Sequence, residues 1–458
     1  MKESQRTFTG LSRNARLTII SLLVATFLVY YFSNPKPSNF YDYTFRVAGN
    51  LLGGEIGFKE QQPSWLNEFV PYENNWYSVF PLGSVLSMVP FALLKTIGFI
   101  QDMPAAFISA LLASLVCLFL FLTASRYEIE RRKVVLTTLS ILFGTWMWTN
   151  LTFAGAWQLA LGFAMVGEIG AIYFTVYNRR PLLAGAFFAL AFGNRTEILL
   201  TAPIFMFLLS RDSKIQNQNE EIESDENTVK KKTVSKNTRE AAGNENSQSG
   251  ISAVKSEIEN LRGKITVDPQ YFVRRLAAFC VVPFFLGIAT LFYNYARFHS
   301  FTDFGYARIP GVLDEPWYNH GIFSVWYIPR QAYEMLLKLW ETKNVFPYYV
   351  PNGFSNSILL TSPFLFLLLR FGSRDAVLKY TSWAAIFILT FLLWMHGNSG
   401  GWQFGYRYAM VLLPWIFVIL LENSPKKTTP LEWLLYVFSI VANAYATYLF
   451  HWTEYVKP

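Results

Sequence analysis

Charge is scarce in this chain. Of its 458 residues, 15% are Asp, Glu, Lys or Arg and 52% are hydrophobic, whereas a soluble domain carries about 25% charged residues. Cysteine is rarer still: Cys117 and Cys280 both sit inside apolar runs, which excludes a disulfide framework or a zinc spacing and reads them as small packed hydrophobes. The four histidines, His299, His320, His396 and His451, share no i, i+4 spacing, so they form no metal motif. No small-residue cleavage site follows the first apolar run, and the N-terminal segment therefore reads as a retained anchor rather than a removed signal peptide. No convincing internal repeat is present. The apolar runs are continuous and do not alternate with polar residues, which argues against a membrane β-barrel.

What the chain has instead is apolar length. Aromatic residues make up 18%, with 42 Phe and 14 Trp, and several runs approach the ~20 residues a helix needs to cross a bilayer. The expectation is an all-α polytopic membrane protein of about 11 transmembrane helices, with interfacial helices in a large first outer loop. The net charge of +8 lies mostly beside spans or in one polar stretch, so it reads as topology and not as a nucleic-acid surface. The basic start, "MKESQRTFTGLSRNAR", places the N-terminus inside, and "RYEIERRK", "NRRP", "RFGSRDAVLK" and "ENSPKKTTP" fall on the same side. Three regions follow: an N-terminal module 1–210 with its outer loop 33–102, a polar insertion 211–268, and a C-terminal region 269–458 with outer loop 295–356. The insertion has almost no large apolar residue and is expected to be disordered, with no chemistry of its own. The stretch 79–99 is apolar but carries Pro81 and Pro90, and is expected as a helix at the outer interface rather than a span. Residues 182–210, interrupted by Asn194, Arg195 and Glu197, read as a broken hairpin, because a first arm of about 12 residues reaches only about 18 Å.

The chemistry-bearing residues gather toward the outer side. Asp42 lies one turn before Arg46, just past the first span. It is either one half of an exposed i, i+4 pair or a general base at the membrane edge. Arg195, in "GNRTEI", and Arg407, in "GGWQFGYRYAMVLLPW", stand next to or within apolar helices. A cation there faces a partner, Glu197 being the nearest for Arg195, or a polar cavity in which both arginines grip a phosphate through forked hydrogen bonds. Arg46, Glu73, Tyr77, Glu197 and Tyr408 are further candidates for supporting or acceptor-contacting roles, and the later acids of the first outer loop, Glu60, Glu68 and Glu73, are the next candidates for the base after Asp42. The triplets "NLT" at 150–152 and "NRT" at 194–196 match the glycosylation pattern, a match common by chance.

The order of these features resembles that of C-type (GT-C) integral-membrane glycosyltransferases, similar to the protein O-mannosyltransferase and lipid A aminoarabinose transferase superfamily. The carrying segments are "FYDYTFRVAGNLLGG", "NNWYSVFPLGSVLSMVPFALLKTIG", "FGTWMWTNLTFAG", "LLAGAFFALAFGNRTEILLTAPIF", "LFYNYARFHSFTDFGY" and "NSGGWQFGYRYAMVLLPW". The resemblance implies transfer of a hexosyl or pentosyl group from a polyprenyl-phosphate donor to a glycan, lipid or protein acceptor on the non-cytoplasmic face, with inversion. It also implies Asp42 as catalytic base, with Arg195 and Arg407 as candidates for the donor phosphate, and a bacterial inner-membrane setting. Many relatives carry a second acid directly after the first; here that position is Tyr43, against a paired-acid metal site. No cofactor is expected, and a divalent cation stays an open alternative. The rival readings are a transporter or flippase of a lipid-linked substrate, an envelope polysaccharide ligase or polymerase, and an inactive membrane scaffold.

Overall fold

The computed structural model describes residues 12–211 and 269–456. Helices dominate. α1 (Arg13–Ser33) opens on Ser12, whose side chain accepts the Ala15 N–H at 3.2 Å, satisfying one of the donors that a helix start leaves free. The chain then runs as a loop to the short α2 (Tyr43–Leu52) and an antiparallel hairpin of β1 (Phe69–Tyr72) and β2 (Asn75–Ser78), with Phe69 opposite Ser78. Next come α3 (Leu82–Thr96), α4 (Ala105–Ala124), α5 (Arg131–Phe143), α6 (Met147–Phe153), α7 (Ala156–Ile172), α8 (Pro181–Asn194) and α9 (Ala202–Ser210). The second half holds α10 (Pro269–Phe298), α11 (Ile328–Leu336), α12 (Ala376–Met395), α13 (Leu413–Glu422) and α14 (Pro430–Trp452). Apart from Arg211, the polar insertion lies outside the described residues.

Among the described residues, six helices are long and apolar enough to cross a membrane, and α5 with α6 forms a seventh candidate bent by 50°. The expected count of about 11 is therefore not reached by unbroken helices. The remaining expected spans are present as shorter apolar pieces. Pro363 opens a 3-10 stretch, Pro363–Leu369, and the 3-10 turn Arg407–Leu412 leads into α13. Residues 182–210 do form a hairpin: Arg179, ahead of α8, donates to the carbonyls of Leu208 and Arg211 at 3.2 and 2.6 Å. Its two arms thus begin and end together, and Arg195 sits at the turn. α3 spans 15 residues, about 22 Å of helix, short of a ~30 Å hydrocarbon core. Pro81 is its N-cap, while Pro90 is carried inside the helix. α3 meets the end of α8 so closely that a Cβ on Gly83 would lie 2.4 Å from the Gly193 backbone. Asn194 seals the contact by donating to Ser87 Oγ at 2.9 Å.

The basic loops gather at one end. Arg131 reaches Asn14, Lys426 pairs with Glu128 at 3.4 Å, Arg211 pairs with Asp375 at 2.9 Å, and Arg374 donates to the Ser424 carbonyl at 3.1 Å. Lys133 departs from its neighbours in "RYEIERRK". Its side chain is fully buried, 2.9 Å from the equally buried Glu432, which also accepts from Arg370. Glu432 additionally closes a capping box with Thr429 at the start of α14. At the opposite end, segments 33–102 and 295–356 share a small apolar core of Val70, Tyr77 and Val79 with Phe298, Ile309, Val312 and Tyr318. Arg297 fastens that core to α10: its fully buried guanidinium stacks on Tyr293 at 3.9 Å and donates to the Ser78 carbonyl and to Asn294 Oδ1.

Candidate functional site

The loop that carries Asp42 is stitched onto the junction between α6 and α7. Asn39 donates to the Phe153 carbonyl at 2.7 Å, and Ala156 N–H donates to the Tyr41 carbonyl at 2.9 Å. Asp42 is the N-cap of α2, yet its carboxylate does not cap the helix. It accepts instead from Arg46 Nε at 2.6 Å, with the Asp42 side chain 14% exposed. The tyrosines on either side, Tyr41 and Tyr43, both pack on Trp157, with ring centroids 5.2 Å away in each case.

Trp157, at the start of α7, joins the acidic and basic parts of the site. Its indole N–H lies 2.8 and 2.9 Å from the two carboxylate oxygens of Glu68. Arg407 lies over the same indole at 5.9 Å. The Arg407 guanidinium is buried; it donates to the Gly401 carbonyl at 2.8 Å and to the Tyr408 hydroxyl at 3.2 Å, and its Nε has no partner. Gly400 faces that Nε with φ +102°, and a Cβ there would lie 2.9 Å from it. Both the backbone conformation and the free space thus call for glycine. Gln403 fixes the turn: its Oε1 accepts the Arg407 N–H at 2.7 Å, while its amide donates to the Ser399 carbonyl at 2.7 Å.

Arg195 arrives from the turn of the α8–α9 hairpin. Its guanidinium lies 4.8 Å from the centroid of the Tyr408 ring, and that of Arg407 lies 5.0 Å from the same centroid. Residues 212 positions apart in sequence are thereby brought to one aromatic ring. Arg195 is paired with Glu197 at 2.6 Å. Arg407 has no carboxylate within ion-pair distance among the described residues, and a buried guanidinium in that state can accept an anion.

Burial sets the protonation of the surrounding groups. The Glu68 carboxyl is pushed up to about 7 by loss of water, opposed by the Trp157 hydrogen bond and the positive charge of Arg407. The imidazole of His396 is pushed down to about 4 by burial, and Arg195 and Arg407 act in the same direction. His396 Nδ1–H donates to the Asn398 carbonyl at 2.6 Å; a neutral ring therefore leaves Nε2 as an acceptor. The hydroxyls of Tyr306 and Tyr318, 2.9 Å apart, are both raised by burial.

The structure thus brings Arg195, Glu197, Arg407 and Tyr408 together, and Trp157 links them to the Asp42 loop. Arg46 stays on Asp42. Glu73 and Tyr77 are placed elsewhere. Glu73 is an exposed hairpin residue at φ +52°, 3.7 Å from His299, and Tyr77 packs on Phe298 within the small second apolar core. Trp157 and His396 were not singled out by the sequence, and Glu68 only as one acid among several in the first outer loop.

No family model and no curated protein matches the chain by sequence. Two solved structures resemble it in shape. One is the oligosaccharyltransferase of Archaeoglobus fulgidus in the apo form, at 14% identity and a TM-score of 0.40, covering 95% of this chain and 55% of that one. The other is oligosaccharyltransferase AglB of the same organism in complex with an inhibitory peptide and a dolichol-phosphate, at 13% identity and a TM-score of 0.38, covering 96% and 56%. The chain spans just over half the length of these structures.

Proposed function

We propose that this chain is an integral-membrane glycosyltransferase that takes a sugar from a polyprenyl-phosphate donor and passes it to an acceptor hydroxyl at the outer membrane surface. The observation that carries the reading is the convergence of Arg195 and Arg407 on Tyr408, with Arg407 buried and its Nε unpartnered. A buried cation without a carboxylate in contact is costly, and a phosphate oxygen supplies that contact. The guanidinium geometry suits it, because forked N–H donors match phosphate oxygens.

Under this reading the lipid tail stays in the bilayer and the phosphate lies between the hairpin turn at Arg195 and the turn at Arg407. The acceptor oxygen attacks the anomeric carbon from the face opposite the phosphate. As the new C–O bond forms, the bond to phosphate breaks and the electron pair leaves with the phosphate, whose growing charge the two arginines stabilise. Asp42 takes the acceptor's proton, and attack from the opposite face inverts the anomeric centre. To accept that proton Asp42 has to give up its contact with Arg46 Nε, 2.6 Å away. The test is transfer by purified protein from a panel of polyprenyl-phosphate sugars. Turnover with one donor that is lost in Arg407→Lys supports the reading; no transfer from any donor, with the protein folded and the acceptor panel broad, would overturn it.

A further inference from the structure

We infer that Glu68 is a proton-linked partner of the anion site, taking up a proton from solvent when a phosphate enters beside Arg407. The inference rests on the donor-phosphate reading above and adds to it a residue and a measurable coupling.

The geometry is that of one indole with two charged neighbours. Trp157 gives its N–H edge to Glu68 and its ring to Arg407, and Glu68 and Arg407 do not themselves form an ion pair. The acid is thus close enough to feel the guanidinium but not placed to neutralise it by contact. Other local charges cancel in pairs, Arg195 with Glu197 and Asp42 with Arg46. An ionised Glu68 then leaves the site formally neutral, and a protonated Glu68 leaves it with one positive charge. An anion is attracted to the second state and repelled by the carboxylate of the first. By linkage, the state that binds the anion better is the state the anion promotes.

The groups facing Glu68 on neighbouring elements do not compete for this proton. Tyr43, from α2, donates its hydroxyl to Asn67 Oδ1 at 3.1 Å and is raised by burial. Tyr306, from the second outer segment, is held in its pair with Tyr318 and is likewise raised. Arg407 stays charged throughout. Trp157 donates but does not titrate. Glu68, pushed up to about 7, is the group poised to change charge near neutrality. The plainer alternative is that Glu68 only anchors the Trp157 indole, in which case its charge is indifferent to a ligand.

Binding of a short prenyl methyl phosphodiester to the full chain in detergent separates the two. That probe keeps a single charge between about pH 6 and 8.5, since it lacks a second ionisable oxygen. The dissociation constant is expected to weaken roughly three- to tenfold across that range. Calorimetry in buffers of different ionisation heats is expected to show fractional proton uptake near pH 7. In Glu68→Gln, which keeps an acceptor for Trp157, affinity should be flat with pH and proton uptake absent. In Trp157→Phe the midpoint should move upward, because the ionised form loses its donor. A flat profile in the parent protein, or an unchanged slope in Glu68→Gln, overturns the inference and leaves the donor reading standing. A folded parent protein that binds the phosphodiester at no pH overturns both.

Discussion

Arg195 and Arg407 share one aromatic ring. Their guanidinium carbons lie 4.8 and 5.0 Å from the centroid of Tyr408, which also accepts a hydrogen bond from Tyr406's neighbour Arg407 through its hydroxyl at 3.2 Å. Tyr408 is therefore a fixed platform for two cations that arrive from separate halves of the chain. Like charges so placed repel unless an anion or an acid offsets them. Glu197 does this for Arg195, and under the proposed function a donor phosphate does it for Arg407.

Lysine substitutions at the two positions should not be equivalent. Arg407→Lys loses the fork and the Gly401 bond, and donor affinity is expected to fall by an amount matching about 1.5–3 kcal/mol per charged hydrogen bond lost. Arg195→Lys keeps a charge that Glu197 still offsets, and the loss should be smaller. Donor-binding isotherms for both variants check the order; equal affinity in parent and Arg407→Lys would remove the phosphate role.

Asp42→Asn keeps the shape of the loop and removes the proposed base. Turnover is expected to drop roughly 10²–10⁴-fold with donor affinity retained. Arg46→Ala breaks only the i, i+4 pair and should cost well under 1 kcal/mol in stability. A parent-like rate in Asp42→Asn would shift the role of base to another outer-loop acid, with Glu68 the first to test because it already lies within the site.

The buried network at the opposite end predicts an asymmetry in stability. Glu432→Ala leaves both Lys133 and Arg370 without their carboxylate, and an uncompensated buried charge costs about 3–5 kcal/mol. Lys133→Met leaves Glu432 still paired with Arg370 and capping α14, so its cost should be clearly smaller. Thermal unfolding in detergent reads both; a Glu432→Ala protein as stable as the parent would show that the pair is hydrated in solution.

Two titrations should nearly cancel in the parent protein. His396 is depressed from 6.5 to about 4, so the unfolded chain binds its proton first. Its contribution is present above pH 6.5 and is lost as pH falls toward 4. Glu68 is raised from 4.5 to about 7, so the folded chain holds its proton longer. Its contribution is present below pH 4.5 and is lost as pH rises to 7. Between about pH 4.5 and 6.5 the slopes oppose, each of order 1.4 kcal/mol per pH unit. Relative to the parent, stability of His396→Gln should fall with rising pH, and that of Glu68→Gln should rise. Parallel curves for all three proteins would mean that neither group is shifted in the fold.

The positions of most helices were legible from the sequence, because apolar length and flanking Lys and Arg are local properties. The hairpin turn at Arg195 was legible for the same reason, as was the unusual standing of Arg407: charge inside an apolar run needs a partner wherever it folds. Glu73 and Tyr77 were drawn in only by their place in the acidic outer loop, and the hairpin of β1 and β2 turns them toward His299 and Phe298. The number of unbroken crossing helices also escaped the sequence. Hydropathy registers an apolar run without regard to the breaks at Gly144–Trp146, Pro363 and Arg407–Leu412.

By itself, then, the sequence determined that this chain is a helical membrane protein, that its basic loops gather at one end, and that Asp42, Arg195 and Arg407 stand out against their apolar surroundings. Only the tertiary structure decided that Lys133 is a buried partner of Glu432 rather than one more basic-loop charge. It likewise decided that Glu68 meets Trp157 across 89 residues of chain, and that two arginines from distant turns share Tyr408. Hydropathy and charge bias act residue by residue along the chain. The energy of a buried charge is set by atoms a few ångströms away in space, which sequence proximity does not specify.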